Sequence, residues 1–206
     1  MMSNFGCVPG RWMSCLVFTF VVCGCVSDQQ KIGAIQASSH AFSVEYERIL
    51  VERGSRVVKV LRAEAFVAMR VVLSGMGMRT ENQDLALGTL RVAAPAPAPL
   101  TSDEWIRAAD HDLPLLKKII EPHVGMASNF VQFEPQGLDI IINATFLEVS
   151  GGVEVSITVR SRETAAARTG WPRREYLPPT AVRTGLDKIW RAFEQELRAA
   201  GPKNAQ

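Results

Sequence analysis

The chain has 206 residues, with 23 lysines and arginines against 21 aspartates and glutamates, and a formal net charge of +2 at pH 7. This near balance argues against a dedicated nucleic-acid binder, which would show a strong basic excess. All four cysteines precede Val26, so we expect no disulfide framework in the folded part. The roughly 180 residues that follow suit one domain.

The first 24 residues have the order of a secretory signal peptide. One positive charge, Arg11, precedes an apolar core at residues 12–22, and small and then polar residues follow. This core is shorter than the ~20 apolar residues that a membrane-spanning helix needs. A signal that is cleaved without lipidation and an uncleaved anchor are the alternatives to the interpretation below.

The tetrad Val22-Cys23-Gly24-Cys25 resembles the lipobox of bacterial lipoproteins. In that family an aliphatic residue lies three positions before the modified cysteine and a small residue directly before it; Cys23 stands where alanine or serine is usual. The resemblance implies that the thiol of Cys25 takes a diacylglycerol group and that cleavage makes Cys25 the first residue. Because Val26 rather than aspartate follows, it also implies the outer membrane, facing the periplasm, with the inner membrane as the alternative.

Small and polar side chains dominate residues 25–40, which predict a lipidated tether. The domain is expected over residues 41–200. Apolar side chains at helical spacing predict a helix up to Glu52, and a valine-rich run predicts a short strand at 56–60.

A clearer amphipathic helix is predicted from Leu61 and ends at Gly75 and Gly77. Two strands separated by a turn near Asn82 to Asp84 should follow it.

Prolines alternate with alanines at 95–99, and this run predicts a semi-extended spacer. A helix capped by Thr101 or Ser102 follows. A second helical piece is expected to begin at Pro114 and to end before Pro122. The spacer and these two pieces form a predicted helical insertion at 95–122.

The strongest strand signal covers residues 139–149 and, after turn chemistry at 150–152, the alternating run from Val153. Together they predict an antiparallel hairpin with one face in water. A closing helix is expected after Pro179, capped by Thr180 and followed by a tail at 201–206. Its apolar face is formed by six side chains: Val182, Leu186, Ile189, Trp190, Phe193 and Leu197.

This order of elements predicts an α+β fold, a two-layer sandwich in which helices pack on one face of an antiparallel sheet. A helix ending near Met76, a strand with Asp84 and Gly88, and a terminal helix at 180–199 resemble helix-grip-like domains of bacterial outer-membrane lipoproteins. BamC, an accessory lipoprotein of the outer-membrane β-barrel assembly machine, carries domains of this kind. The resemblance implies an anchored, non-enzymatic periplasmic domain.

Few residues suggest chemistry. The histidines are His40, His111 and His123, and no zinc-ligand spacing or nucleophile motif accompanies them. Residues 110–112, Asp-His-Asp, read as a solvated helix end because adjacent helical residues point in different directions. We therefore expect no catalytic residue, metal or cofactor. A pocket bringing together Asp110, His111 or His123 with another carboxylate would favour an enzyme instead.

One loop has the composition of a binding surface. Arg162, Arg168, Arg173 and Arg174 surround Trp171. Arginine and tryptophan are enriched at binding hot spots, and arginine also pairs with phosphate groups. We expect Arg168, Trp171, Arg173 and Arg174 to contact an envelope protein or lipid headgroups. The alternative is a mobile polar loop in which Trp171 packs against the core.

Two functions follow from these observations. The leading one is a non-enzymatic interaction or scaffold domain anchored to the envelope. The second is a carrier of a small apolar ligand or lipid, held between the sheet and a closing helix whose wall includes Trp190 and Phe193. In the alternative interpretation these two side chains simply fill the core.

Overall fold

The structure is a computed structural model, and it describes residues 26–165 and 177–200. Its elements in chain order are α1 (Asp28–Arg53), β1 (Ser55–Val58), α2 (Arg62–Gly75), β2 (Arg79–Asp84), β3 (Thr89–Pro95), α3 (Ser102–Val124), a 3-10 helix (Gly125–Phe130), β4 (Leu138–Val149), β5 (Gly152–Glu163) and α4 (Pro179–Ala200). The five strands form one sheet in the order β1-β5-β4-β3-β2, and all neighbours are antiparallel.

The predicted α+β sandwich is confirmed. The β4–β5 hairpin turns at Ser150 and Gly151, within the predicted 150–152 segment, after its last pair, Val149 and Gly152. Apolar side chains alternate along β5 and along most of β4 and face the helices, while the side chains between them, polar apart from Ile141 and Leu147, lie on the other face. Helices therefore cover one face of the sheet, and the opposite face is largely polar.

The main core lies between the sheet and the helices α2 and α4. From α4, Trp190 and Phe193 are fully buried in it, and from α2 Phe66 stacks near Phe146 of β4, with ring centroids 5.3 Å apart. A second, smaller cluster joins α1 to α3. It consists of Ala34, Phe42, Leu116, Ile120, Val124 and Val131.

The helix α1 begins earlier than expected. Residues 28–40, which the sequence suggested as a tether, form its first half. The side chain of Ser27 accepts a hydrogen bond from the backbone N–H of Gln30, and the side-chain oxygen of Gln30 accepts one from the backbone N–H of Ser27, a capping box. Small residues in this segment allow a close helix crossing: a Cβ on Gly33 would lie 2.9 Å from Nδ1 of His123. Gly33 and Ala34, two of the small residues that suggested a tether, are packing positions.

The helix α3 is continuous, and the prediction of a break at Pro114 was wrong. Pro114 and Pro122 both lie inside it. Each proline removes one bond to the carbonyl four residues earlier, in Asp110 and in Lys118. All four residues are exposed and follow one another at intervals of four, so the freed carbonyls face water. Water can hydrogen-bond to exposed carbonyls, so neither proline ends the helix.

The turn between β2 and β3 also differs from the prediction. The strand β2 runs through Asp84, and its register shifts between Thr80 and Asn82. The turn follows it, where Asp84 Oδ1 accepts a hydrogen bond from Leu87 N–H at 2.9 Å and Gly88 has a φ of 64°. Because β2 is an exposed edge strand, its polar residues need no partner in the core. The polar residues that suggested a turn are residues of this edge strand.

The outer edge of β5 is completed by a side chain. The strand β1 pairs with it only along Ser55–Val58. Beyond that pairing, the hydroxyl of Tyr46 in α1 donates to the carbonyl of Val159 and accepts its N–H at 2.9 Å. One tyrosine thereby satisfies a backbone donor and acceptor that would otherwise be unpaired.

Candidate functional site

The residues proposed for lipid attachment and partner contact, Cys25, Arg168, Trp171, Arg173 and Arg174, lie outside the described residues.

Arg162, which the sequence grouped with them, belongs to the sheet. It lies in β5 and donates to Asp139 at 2.9 Å and to Glu81 at 3.2 Å. Hydrogen bonds from Arg91 and then Arg162 hold the pKa of the Glu81 carboxyl below its usual value. Arg162 thus joins three strands and is not a free cation of the loop.

A cleft of about 290 Å³ lies beside the base of the arginine-rich loop. It is bounded by α1, the end of β5 and the start of α4, where the described chain resumes at Leu177. Its walls combine apolar side chains such as Phe42 with the charged side chains of Glu47 and Arg160. Such a mixture of apolar wall and few charges suits the docking of a polypeptide or an amphipathic ligand.

A second cleft, of about 380 Å³, lies between the first half of α3 and the segment that follows the 3-10 helix. Trp105, Ile106, Leu113 and Phe133 give it an apolar floor. The indole N–H of Trp105 donates to the carbonyl of Phe133 at 3.3 Å, which fixes the floor in place. This volume is near the lower limit of ordinary small-ligand sites.

The space between the sheet and α4 is nearly filled. The pocket there has a volume of about 20 Å³ and is bordered by Ile140, Val159 and Ile189. Trp190 and Phe193 are fully buried, have ring centroids 5.8 Å apart, and line none of these three clefts. Both side chains fill the core, as the alternative interpretation proposed.

The Asp-His-Asp segment takes part in a polar cluster with Thr180 of α4. Asp112 is only 6% exposed, so it is not part of a solvated helix end. Its two carboxylate oxygens accept the backbone N–H and the hydroxyl of Thr180, each at 2.7 Å. Nδ1 of His111 lies 2.9 Å from Asp112 and 3.0 Å from the Thr180 hydroxyl.

This arrangement is a helix cap. Thr180 is the second residue of α4, whose first N–H groups have no partner within the helix. Asp112 supplies the acceptor from a neighbouring helix, so the cap expected from Thr180 itself comes from α3. Because one nitrogen of His111 contacts both partners, the imidazole does not relay a proton between Thr180 and Asp112 as a catalytic triad requires.

The other histidines lie apart from this group. His123 is in the last turn of α3, where a helix-terminal position was predicted, and its ring covers Gly33. His40 is exposed on α1. Within residues 26–165 and 177–200, no three histidine, cysteine or carboxylate side chains are placed to hold a metal ion.

A sequence signal for Asp112 exists. It occupies the apolar stripe of α3, with Trp105, Ala108, Ala109, Leu116 and Ile120. A carboxylate in such a stripe needs a buried partner, because burying an unpaired charge is costly.

In the described part of the chain, no helix combines the length and the apolar character needed to cross a bilayer. No family model, curated protein or solved structure matches the chain.

Proposed function

We propose that this chain is a lipid-anchored envelope lipoprotein whose domain faces the periplasm and acts as a non-enzymatic interaction or scaffold module. The carrying observation is the lipobox-like tetrad that ends at Cys25, after a short apolar core. An outer-membrane position is favoured by Val26, with the inner membrane as the alternative. The helix-grip-like resemblance supports the same class of protein.

The start of the domain is compatible with such an anchor. The capped helix α1 begins at Asp28, with Ser27 as its N-cap, so only two residues separate Cys25 from the helix. One acyl chain binds a membrane marginally, whereas the two or three chains of a lipoprotein hold it stably. An anchor on Cys25 would therefore keep the folded domain directly at the lipid surface.

An interaction role for the arginine-rich loop has support from its surroundings. The described residues at its base form the cleft beside Arg160 and Leu177. Leu177, where the described chain resumes after the arginine-rich loop, lines this cleft. By composition, the loop offers an aromatic anchor, Trp171, and three arginines as charged donors for a protein partner or phosphate headgroups.

The first prediction concerns the anchor. Full-length protein extracted from membranes should carry a diacylglycerol mass on an N-terminal peptide beginning at Cys25, because the thiol of this residue is the acceptor of the lipobox reaction. The measurement is the intact mass together with the mass of that peptide. Cys25→Ser should abolish the modification and Cys23→Ser should leave it. An unmodified N-terminus near Val26 or Ser27 would contradict the proposal.

The second prediction concerns the loop. Trp171→Ala and the double change Arg173→Ala with Arg174→Ala should abolish crosslinks between the protein and its envelope neighbours, because they remove the aromatic anchor and two charges. Arg70→Ala, on the exposed face of α2, is the matched control. Crosslinks are measured in whole cells and folding by circular dichroism. Crosslinks that survive in folded loop variants would refute the assignment.

The carrier is the second candidate function, and the cleft of about 380 Å³ with Trp105 on its floor favours it over a cavity at α4. Native mass spectrometry of the same preparation separates the two functions. A co-purifying small apolar molecule on the domain would favour the carrier, and a bare domain the scaffold.

A further inference from the structure

The 3-10 helix buries a polar side chain and exposes two large apolar ones. Of its six residues, Ser128 is buried, whereas Met126 is 84% exposed and Phe130 is 78% exposed. A water-facing segment normally turns such side chains inward, because each large apolar side chain gains about 1.5–3 kcal/mol on burial. Two large apolar side chains exposed on one short segment are a candidate for a surface that is covered in use.

This segment lies beside the start of α1. It follows the end of α3 directly, and His123 in the last turn of α3 covers Gly33 in the second turn of α1. Val26, the first described residue, packs on the same small cluster as Ala127 of the 3-10 helix. The exposed apolar side chains therefore share an end of the domain with the point where the chain leaves toward Cys25.

We propose that Met126 and Phe130 insert into the lipid surface to which Cys25 is attached, so that the domain has a second, non-covalent contact with its membrane. This inference rests on the proposed function. A residue spans at most about 3.6 Å, so the two residues after Cys25 hold the start of α1 within about 10 Å of the membrane. The apolar face of an interfacial helix lies about 5–10 Å into the headgroup boundary. An end of the domain held this close to the membrane can therefore bring its apolar side chains into that boundary.

Two membrane contacts have a consequence that one anchor lacks. A single flexible attachment lets a domain rotate freely, whereas a covalent anchor and an inserted apolar pair define an orientation. With α1 standing on this end, Val51 lies about 35 Å along the helix from Asp28. The far end of α1 then points away from the bilayer.

The experiment places a fluorophore at each position in turn. Cys25 is the last cysteine of the chain, and in the acylated protein its thiol is blocked. Met126→Cys and Phe130→Cys then each provide a unique thiol for an environment-sensitive nitrobenzoxadiazole label. Val51→Cys, at an 87% exposed position on α1, is the matched control. The full lipidated protein is reconstituted into vesicles of phosphatidylethanolamine and phosphatidylglycerol, some of which carry nitroxide-labelled lipid.

Labels at 126 and 130 should shift their emission to the blue in vesicles and be quenched by the nitroxide lipid, while the label at 51 does neither. Equal emission at all three positions in protein with an acylated Cys25 would overturn this inference and leave the anchor intact. A blue shift that depends on protein concentration in detergent, without vesicles, would assign the surface to a second copy and overturn it as well. Protein without the diacylglycerol mass would instead overturn the proposed function.

Discussion

Trp190→Ala is expected to lower the free energy of unfolding by about 3–5 kcal/mol, the range for truncating a buried aromatic side chain. Trp190 is 0% exposed and packs edge-on against Phe193. Its indole N–H donates to the carbonyl of Arg53 at 2.6 Å, and the guanidinium of Arg56 lies 5.0 Å from the ring centroid. Truncation opens a cavity and leaves the last carbonyl of α1 without its donor. Urea unfolding of the purified domain measures the loss.

Two variants separate these contributions. Trp190→Phe keeps most of the packing and loses the hydrogen bond, so the expected loss is about 1–2 kcal/mol. Leu147→Ala, at an exposed position of β4, should change stability by no more than about 0.5 kcal/mol. A Trp190→Ala domain as stable as the Leu147→Ala domain would contradict the core described here. It would also reopen a ligand cavity beside α4.

Asp112→Ala should cost about 2 kcal/mol of stability, because it removes the cap of α4 and leaves the backbone N–H of Thr180 without its acceptor. Both carboxylate oxygens of Asp112 are used, one by the backbone N–H and one by the hydroxyl of Thr180, each at 2.7 Å. The measurement is again urea unfolding, with helix content followed by circular dichroism.

The matched variants test whether capping is the cause. Asp112→Asn keeps an acceptor for the Thr180 N–H and should lose less stability than Asp112→Ala. Asp110→Ala removes an exposed carboxylate from the same helix and should have little effect. If Asp110→Ala and Asp112→Ala are equally destabilising, the contribution comes from charge on α3 and the capping assignment is wrong.

Periodicity predicted the elements whose faces differ strongly in polarity. The β4–β5 hairpin and α4 were recognisable because apolar side chains recur every second residue in the strands and at three- to four-residue intervals in the helix. The α+β class followed from the order of these elements.

Two features that we did not predict, the first half of α1 and the continuity of α3, depend on tertiary surroundings. The first half of α1 is polar and small, and it is helical because α3 packs on Ala34 and Gly33. Pro114 does not end α3, because the carbonyl it frees faces water. Local propensity describes neither effect, since each depends on what surrounds the backbone.

The polar contacts at the candidate site were not predicted either, because they join residues that are far apart in the sequence. Asp112 and Thr180 are 68 residues apart, and no local pattern pairs them. Only the unusual carboxylate in the apolar stripe of α3 signals that a partner exists. The anchor at Cys25 and the contact of Trp171 stay predictions from the sequence.

Three side chains that are distant in sequence hydrogen-bond to backbone groups at the ends of helices and at the edge of the sheet, and this affects how the chain folds. Tyr46 hydrogen-bonds to β5 across 113 residues of sequence, Trp190 to the end of α1 across 137, and Asp112 to the start of α4 across 68. Each contact closes a long loop, whose entropy is lost before the bond is gained. We therefore expect the helices and the edge of the sheet to become stable together rather than one after another. Because α4 comes last in the described chain, a nascent polypeptide that ends before it lacks both Trp190 and Thr180, and we expect this domain to remain unfolded until α4 has been synthesised.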